Sequence, residues 1–235
     1  MPEDPAAESA SPRRSIRSFV KRSGRLTIGQ QEALVDLWPQ YGIEYDGSHK
    51  LDLPSLYPGC SCFKLEIGFG NGDSLVQMAA NDSTCGYLGI EVHEPGVGHC
   101  LMGLQQAGLS NLRLMRHDAM DIIERMLPDA CLDRVLLFFP DPWHKKKHHK
   151  RRIVNALFRD QLSRVLKPSG VLHMATDWQD YAEHMAQQML GDERFDNMGD
   201  ASGYAARPDY RPQTKFERRG LRLGHAVWDL LFRKR

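Results

Sequence analysis

The sequence lacks the features that would assign it to a membrane, secreted or zinc-binding class. No run approaches the roughly 20 apolar residues that a membrane span needs. The Arg-rich start of the chain contains no apolar segment of the kind found in secretory signals. The five cysteines are odd in number and form no C-x-x-C pair, which argues against a disulfide framework or a tetrahedral zinc site. We therefore expect a cytoplasmic protein without a metal, whose cysteines are reduced and serve mainly in packing.

The chain also has little net charge, since 31 basic residues oppose 30 acidic ones. The basic residues are nevertheless clustered. Residues 13–25 and 145–152 each contain six lysines or arginines and no acid, and the chain closes with Arg233, Lys234 and Arg235. Blocks of like charge are usually solvated or bind anions. A polyanion such as RNA is the natural partner of such blocks.

Composition divides the chain into a short leader and one domain. Residues 1–12 are rich in Pro, Ala, Ser and acids, which is typical of disorder. We interpret 1–15 as a disordered leader and 16–235 as a single domain that begins with a basic segment. A chain of 235 residues is near the usual upper range for one hydrophobic core.

The apolar pattern of the domain predicts an α/β fold. Short apolar runs predict strands at 63–69, 87–92, 112–117, 133–139 and 171–176. Helical spacing lies between them at 73–80, 96–108, 120–127 and 152–166, and the residues at 167–170 end the last helix. This alternation predicts a mostly parallel, doubly wound sheet. Residues 216–232 could add one or two further strands.

A glycine-rich turn follows the first predicted strand. Gly68, Gly70 and Gly72 stand at alternate positions, where glycine lets the backbone turn sharply and approach a ligand closely. The spacing is not the G-x-G-x-x-G of dinucleotide folds. Glu66 precedes the turn, and its carboxylate would repel a phosphate but attract an ammonium group. Because ligands of such sheets bind outside the carboxyl ends of the strands, this turn is a candidate binding site.

Acidic residues also follow the second and third predicted strands. Glu91 lies 19 residues after Gly72 and can accept hydrogen bonds from both hydroxyls of a ribose. Asp118, followed by Ala119, can meet the amino group of an adenine. A ligand with an ammonium group, a ribose and an adenine but no phosphate describes S-adenosylmethionine. The alternative is that Glu91 and Asp118 merely cap helices.

Two prolines enclose an acid after the fourth predicted strand. Pro140 and Pro142 restrict the backbone on both sides of Asp141, and Trp143 can stack on a planar base. In a doubly wound sheet this loop lies beside the first strand. The alternative is a rigid turn with a buried tryptophan. After the fifth strand, Asp177 either binds substrate or caps the next helix.

The basic run directly follows the candidate base pocket, where a phosphate backbone would have to pass. Histidines within the run have no nearby carboxylate or cysteine to complete a metal site, so we discount a metal. The predicted RNA contacts are Lys146, Lys147, His148, His149, Lys150, Arg151 and Arg152.

The motifs, taken in order, resemble those of the bacterial tRNA (guanine-N7)-methyltransferases. They read EIGFGNG, GIEVHEPGVG, FFPDPWHKKKHHKRR, TDW and TKFERRG, and the resemblance extends over residues 16–235. It implies a class I methyltransferase fold with a seven-stranded sheet and S-adenosylmethionine as cofactor. It also implies methylation of the guanine at position 46, in the tRNA variable loop. The oligomeric state is left open.

The resemblance also implies roles for individual residues. Four acids bind or border the cofactor, and one of them, Asp141, is also catalytic. These acids are Glu66, Glu91, Asp118 and Asp141. The implied substrate contacts are Lys145, Asp177, Thr214, Lys215, Phe216 and Glu217. Two alternatives stay open: a methyltransferase of the same fold that acts on another nucleobase or RNA, and a non-catalytic RNA-binding module. The presence of all four acids argues against the second.

Overall fold

The computed structural model describes residues 17–20, 24–214, 217 and 226–235. The predicted leader at 1–15 lies outside these residues, as do Lys215 and Phe216 of the predicted substrate contacts. The disorder of the leader therefore stays a prediction.

Within the described residues, one sheet of eight strands runs through the protein. The strands are β1 (Gly42–Ile43), β2 (Cys62–Ile67), β3 (Cys85–Ile90), β4 (Leu112–Met115), β5 (Leu132–Phe138), β6 (Leu166–Thr176), β7 (Phe195–Asn197) and β8 (Trp228–Lys234). Their order is β1-β4-β3-β2-β5-β6-β8-β7. The pairs from β1 to β6 are parallel, and β8 is antiparallel to both neighbours.

The mostly parallel, doubly wound sheet is confirmed, and the number of seven strands is corrected to eight in the described chain. The additional strand is β1, a two-residue strand that pairs with β4 at the edge. Two residues show no periodicity, so the sequence pattern could not reveal it. The tail contributes one described strand, β8.

Helices cover both faces of the sheet. They are α1 (Ile28–Asp36), α2 (Trp38–Tyr41), α3 (Leu53–Leu56), α4 (Asp73–Asn81), α5 (Glu94–Gln106), α6 (Ala119–Met126), α7 (Ala156–Val165) and α8 (Gln179–Leu190). None of the described helices is long and apolar enough to cross a membrane. Successive residues of β5 belong to opposite layers of the core. Val135 and Leu137 pack with α6, α7 and α8, whereas Leu136 and Phe138 pack with α4 and α5. This explains why residues 135–138 of the strand are all apolar.

The last predicted helix begins later than its pattern indicated. A 3₁₀ helix occupies Lys146–Arg151, and α7 begins after Asn155, whose side chain accepts a hydrogen bond from the Phe158 N–H at 3.1 Å. An N-cap of this kind fixes where a helix starts. The residues at 167–170 do follow the helix end, but they form a bulge inside β6 rather than a turn outside the sheet, because the pairing register shifts there.

The expectation that all cysteines are reduced is wrong for two of them. Cys62 and Cys85 form a disulfide between β2 and β3. The parallel register places the two residues opposite each other, with their Cα atoms 4.6 Å apart. The two cysteines are 23 residues apart in the chain, so the sequence alone does not show that they are neighbours. Cys60, Cys100 and Cys131 are free.

Candidate active site

A cavity of about 350 Å³ opens at the carboxyl ends of the central strands. Strand β2 pairs with β3 on one side and with β5 on the other, so the cavity lies where the strand order reverses. Its volume falls in the range of about 300–1,000 Å³ that is usual for small-molecule sites. Four predicted site residues line it: Gly68, Glu91, Ala119 and Asp141.

The glycine turn adopts a conformation that suits glycine. Gly68, Gly70 and Gly72 have φ angles of +72°, +60° and +80°. These angles lie in the left-handed region, which residues with a Cβ rarely adopt. A Cβ at Gly72 would also collide with the side chain of Cys100, so this glycine lets α5 pack closely. A Cβ at Gly68 or Gly70 would meet open space.

Glu91 is held by the backbone of the turn. Its Oε2 accepts a hydrogen bond from the Gly70 N–H at 2.9 Å, and its Oε1 accepts from the N–H groups of Val92 and His93 at 2.6 and 3.0 Å. A carboxylate has about four acceptor positions, so capacity remains for a hydroxyl donor. The residue joins β3 to the glycine turn and fixes the shape of the cavity.

Glu66 is a buried carboxyl group that lacks a partner. Its side chain is 3% exposed, and its Oε2 has no hydrogen-bond partner among the described residues. Burial, together with the nearby Glu91, raises the pKa of Glu66 to about 8. An unpaired buried polar group destabilises a fold. A cationic ligand would compensate that cost, so the residue fits the ammonium group of S-adenosylmethionine.

Asp118 caps a helix, and its chain neighbours His117 and Ala119 line the cavity. Its Oδ1 accepts a hydrogen bond from the Met120 N–H at 3.0 Å at the start of α6, as the capping alternative expected. Burial raises the pKa of this carboxyl. Its neighbour Ala119 lines the cavity, and next to it the ring of His117 stacks on Tyr45 at 3.7 Å.

The loop after β5 holds Asp141 between two backbone positions with positive φ. Phe139 and Trp143 have φ angles of +50° and +51°. Such conformations cost about 1–3 kcal/mol each and persist where the surroundings enforce them. The Phe139 N–H donates to the Ala175 carbonyl at 2.7 Å, and the Trp143 Nε1–H donates to the Ser18 carbonyl at 3.1 Å. Asp141 itself is exposed at the rim of the cavity.

Most cations after the loop face solvent. The exposed lysines are Lys145, Lys146, Lys147 and Lys150. Three further residues of the run are half-buried: His148, His149 and Arg151. The Arg151 guanidinium lies over the Trp143 ring at 5.0 Å. Partial desolvation and the surrounding cations lower the pKa of His148.

Arg152 corrects the expectation that the whole basic run contacts RNA. Its side chain is buried at 3% exposure, and its Nε donates to the Pro142 carbonyl at 3.0 Å. Its Nη2 forms an ion pair with Asp180 on α8, and the guanidinium lies over the Tyr181 ring at 4.9 Å. A guanidinium that is enclosed in this way is not available to a phosphate.

Asp177 and Trp178 stand at the carboxyl end of β6 and face solvent. Trp178, not Asp177, occupies the N-cap of α8, and no side chain caps this helix. The capping alternative for Asp177 is therefore wrong. Trp178 is 41% exposed, and its ring meets the edge of His144 at 4.1 Å.

The segment with Thr214 and Glu217 is held by a buried arginine. Both carboxylate oxygens of Glu217 accept hydrogen bonds from Arg211 at 2.7 Å, and the Thr214 hydroxyl accepts from the Glu217 N–H at 3.0 Å. The Glu217 carboxylate thus faces inward, which corrects the expectation of a direct substrate contact by this group. Arg211 also binds Asp229, and Asp229 pairs with His173 at 2.7 Å.

Sequence reasoning missed this buried network. Its members are separated by up to 56 residues in the chain, and isolated polar residues in β6 and β8 give no pattern that would reveal the pairing. It also missed the segment Ser18–Val20, which lines the cavity and touches the loop through Trp143.

Solved structures of methyltransferases share the Rossmann-like fold of this chain. The 16S rRNA methyltransferase KamB aligns with a TM-score of 0.54 and 13% identity, over 79% of this chain and 94% of that one. TrmN from Thermus thermophilus aligns with a TM-score of 0.52 and 17% identity, over 78% of this chain. The present chain spans about half of TrmN, 47% of its length. At these identities the similarity concerns the fold alone.

Sequence comparisons identify the family. A family of putative methyltransferases matches residues 61–230. The tRNA (guanine-N(7)-)-methyltransferase of Yersinia pseudotuberculosis serotype O:1b is 56% identical over 94% of this chain and 92% of that protein. The enzyme of the same name from Edwardsiella ictaluri is also 56% identical, with the same coverage. The chain belongs to the tRNA (guanine-N7)-methyltransferase family, and the resemblance of its motifs is confirmed.

Proposed function

We propose that this protein is a cytoplasmic enzyme that transfers the methyl group of S-adenosylmethionine to N7 of the guanine at position 46 of tRNA. The observation that carries the proposal is the cavity at the switch point of the sheet. Its lining residues Ile67 and Gly68 directly follow Glu66, a buried carboxyl group with an unpaired oxygen, and Asp141 stands at its open rim.

The residues around the cavity fit the parts of the cofactor. Glu66 would hold the ammonium group, and Glu91 would accept a hydrogen bond from a ribose hydroxyl. Asp118 and Ala119 would border the adenine. When bound, S-adenosylmethionine supplies a methyl group attached to a positively charged sulfur. The open space at Gly68 leaves room for a ligand against the backbone.

Asp141 would act on the guanine by charge and by position. Guanine N7 carries a lone pair and has no proton to lose, so attack on the methyl group requires no general base. Positive charge develops on the purine, and a fixed carboxylate stabilises it more strongly in the transition state than in the ground state. The same carboxylate can accept hydrogen bonds from N1–H and N2–H of the base. Alignment of the base with the methyl group supplies much of the remaining acceleration.

The exposed residues next to the loop would bind the tRNA. Lys145, Lys146, Lys147 and Lys150 present their ammonium groups beside the cavity rim, where the sugar-phosphate backbone of the target nucleotide must pass. Asp177, which follows the carboxyl end of β6, and Thr214 would also contact the substrate. The corresponding roles of Lys215 and Phe216 stay predictions.

A second candidate function is methylation of another nucleobase by the same site. The segment Asp141-Pro142-Trp143 partly resembles the loop of methyltransferases that act on adenine or cytosine amino groups. In those reactions a proton must leave the amino nitrogen, so a carboxylate would have to accept it. The identity of the methylated base therefore distinguishes the two functions.

The test is transfer of labelled methyl from S-adenosylmethionine to an unmodified tRNA transcript, beside the same transcript with adenine in place of the variable-loop guanine. We expect label in the first transcript alone, as N7-methylguanine in a nuclease digest. Label in both transcripts would mean that the methylated nucleotide is not the variable-loop guanine. Label in neither, with cofactor binding intact, would refute tRNA as the substrate of this protein alone.

A further inference from the structure

Arg152 ends the basic run but differs from it in burial. The lysines at 145–147 and 150 are exposed, whereas Arg152 is enclosed between the catalytic loop and α8. It contacts the Pro142 carbonyl, the Asp180 carboxylate and the Tyr181 ring. We propose that Arg152 is a positioning residue that holds the Asp141 loop in its reactive geometry and does not bind the tRNA backbone.

The loop needs support on both sides of Asp141. On the first side, the Phe139 N–H is fixed by the Ala175 carbonyl of β6. On the second side, Trp143 has a left-handed backbone conformation. The carbonyl of the preceding residue, Pro142, accepts the hydrogen bond from Arg152. Fixing this carbonyl fixes the orientation of the peptide plane. Asp141 lies between the two anchored points, so both anchors determine where its carboxylate stands.

An arginine suits this position for a geometric reason. The planar guanidinium donates from Nε to Pro142 and from Nη2 to Asp180, while its face lies on Tyr181. A lysine has a single nitrogen and cannot reproduce this fork. Removal of the guanidinium would leave the partly buried Pro142 carbonyl without its donor, and the loop would shift to find one. A displacement of about 1 Å at a reacting group can cost roughly a hundredfold in rate.

This inference rests on the proposed function, because its main readout is methyl transfer to tRNA. The experiment measures kcat, KM for tRNA and the salt dependence of tRNA binding for Arg152→Ala. We expect kcat to fall between about tenfold and a hundredfold, with the salt slope of binding unchanged. Lys150→Ala provides the contrast, because loss of an exposed phosphate contact should raise KM and lower the salt slope by about one.

A second arginine controls for a purely structural effect. Arg164 on α7 donates to the backbone carbonyls of Ile123 and Leu127 at 2.5 and 2.9 Å and touches neither the loop nor the cavity. Arg164→Ala should lower Tm without changing kcat per folded molecule. Addition of millimolar guanidinium should restore kcat in Arg152→Ala, whereas Arg152→Lys should stay as slow as the alanine variant.

Hydrogen exchange of the segment 138–146 gives a readout that needs no substrate. Exchange should be faster in Arg152→Ala than in the wild type, and unchanged in Arg164→Ala. If Arg152→Ala proves unable to fold, Asp180→Asn replaces it, because it weakens the same link and leaves the arginine in place. Asp180→Asn should then lower kcat and accelerate exchange in the same segment.

The proposal is overturned if Arg152→Ala has a normal kcat but a higher KM for tRNA and a lower salt slope of tRNA binding. That result would make Arg152 an RNA contact. The proposal is equally overturned by a lower Tm alone, with normal kcat and normal exchange of the loop. Absence of methyl transfer by the wild-type protein would refute the proposed function instead. The exchange experiment would in that case still decide whether Arg152 holds the loop.

Discussion

The two sides of the cavity are built in opposite ways. On the side of β2, β3 and β4 the acidic residues are buried, and Glu91 is held by three backbone N–H groups. On the side of β5 and β6 the acidic residues Asp141 and Asp177 are exposed, and exposed lysines surround the loop. The first side has its geometry before any ligand arrives. The second side presents charges that a large partner would have to cover.

This difference reflects the size of the two proposed ligands. A small cofactor can be enclosed by backbone and a few carboxyl groups, so its site can be formed within the fold. A tRNA cannot be enclosed by a protein of this size, and most of its affinity comes from phosphate contacts at the surface. We therefore expect substitutions on the two sides to change different measured quantities.

The largest effect is expected at Asp141, the acid of the exposed side that lines the cavity. Asp141→Ala should lower kcat by about 10²–10³-fold, the loss found when one preorganised electrostatic group is removed from an active site. Binding of S-adenosylhomocysteine should change little, because Asp141 is exposed at the rim. The measurement is single-turnover methyl transfer together with calorimetric binding. Near-normal turnover would remove Asp141 from its proposed role.

An intermediate effect is expected on the exposed side. Replacement of Lys146, Lys147 and Lys150 by glutamine should reduce the slope of log K against log salt by roughly two to three. Between about 50 and 200 mM salt, the variant should then lose roughly fifteenfold to sixtyfold less affinity for tRNA than the wild type. Cofactor affinity should not change.

A matched control is available on another face. Lys50 and Arg125 are exposed cations at the end of α6 that lies away from the cavity, since this helix starts at Ala119, which lines the cavity. The Lys50 ammonium donates to the carbonyls of Glu124 and Leu127 at this end. Their replacement by glutamine should leave the salt slope unchanged. An equal change of slope in both variants would mean that the basic run contributes by general charge rather than by contact.

The smallest effect is expected on the buried side and depends on pH. The pKa of Glu66 is raised to about 8, so the group is mostly protonated below that pH and ionised above it. A raised carboxyl pKa means that the folded protein loses stability as pH rises from the ordinary value of 4.5 towards 8. An ammonium ligand favours the ionised form, so affinity for S-adenosylhomocysteine should rise about tenfold from pH 6 to pH 8.

The control for this prediction is Glu66→Gln, which has no proton to lose. In this variant the affinity for S-adenosylhomocysteine changes with pH only through titration of the ligand. The difference between the pH profiles of the variant and the wild type is therefore due to Glu66. Profiles that run parallel would show that the Glu66 carboxyl does not face the ammonium group. Glu91 and Asp118 would then be the only acids that support a preformed cofactor site on the buried side.

Much of the buried side was predictable from the sequence because its residues follow strands directly. Gly68, Glu91 and Asp118 each stand at the carboxyl end of a strand, and parallel strands bring such ends to one edge. The apolar runs located the central strands to within a few residues. The helix before β6 was less predictable, because Asn155 stops it from starting at 152, where helical spacing already begins.

The sequence by itself determined the alternation of strands and helices from β2 to β6, the acids at the cofactor edge and the position of Asp141 after β5. Local spacing and strand ends suffice for these features. Tertiary structure alone decided the partners of Arg152, Arg211 and Glu217, the pairing of Cys62 with Cys85 and the edge strand β1. In each of these cases the outcome depends on groups brought together from distant parts of the chain. That packing decides whether a charged side chain is buried against a partner or left in water. The six lysines and arginines of 145–152 therefore look alike in the sequence.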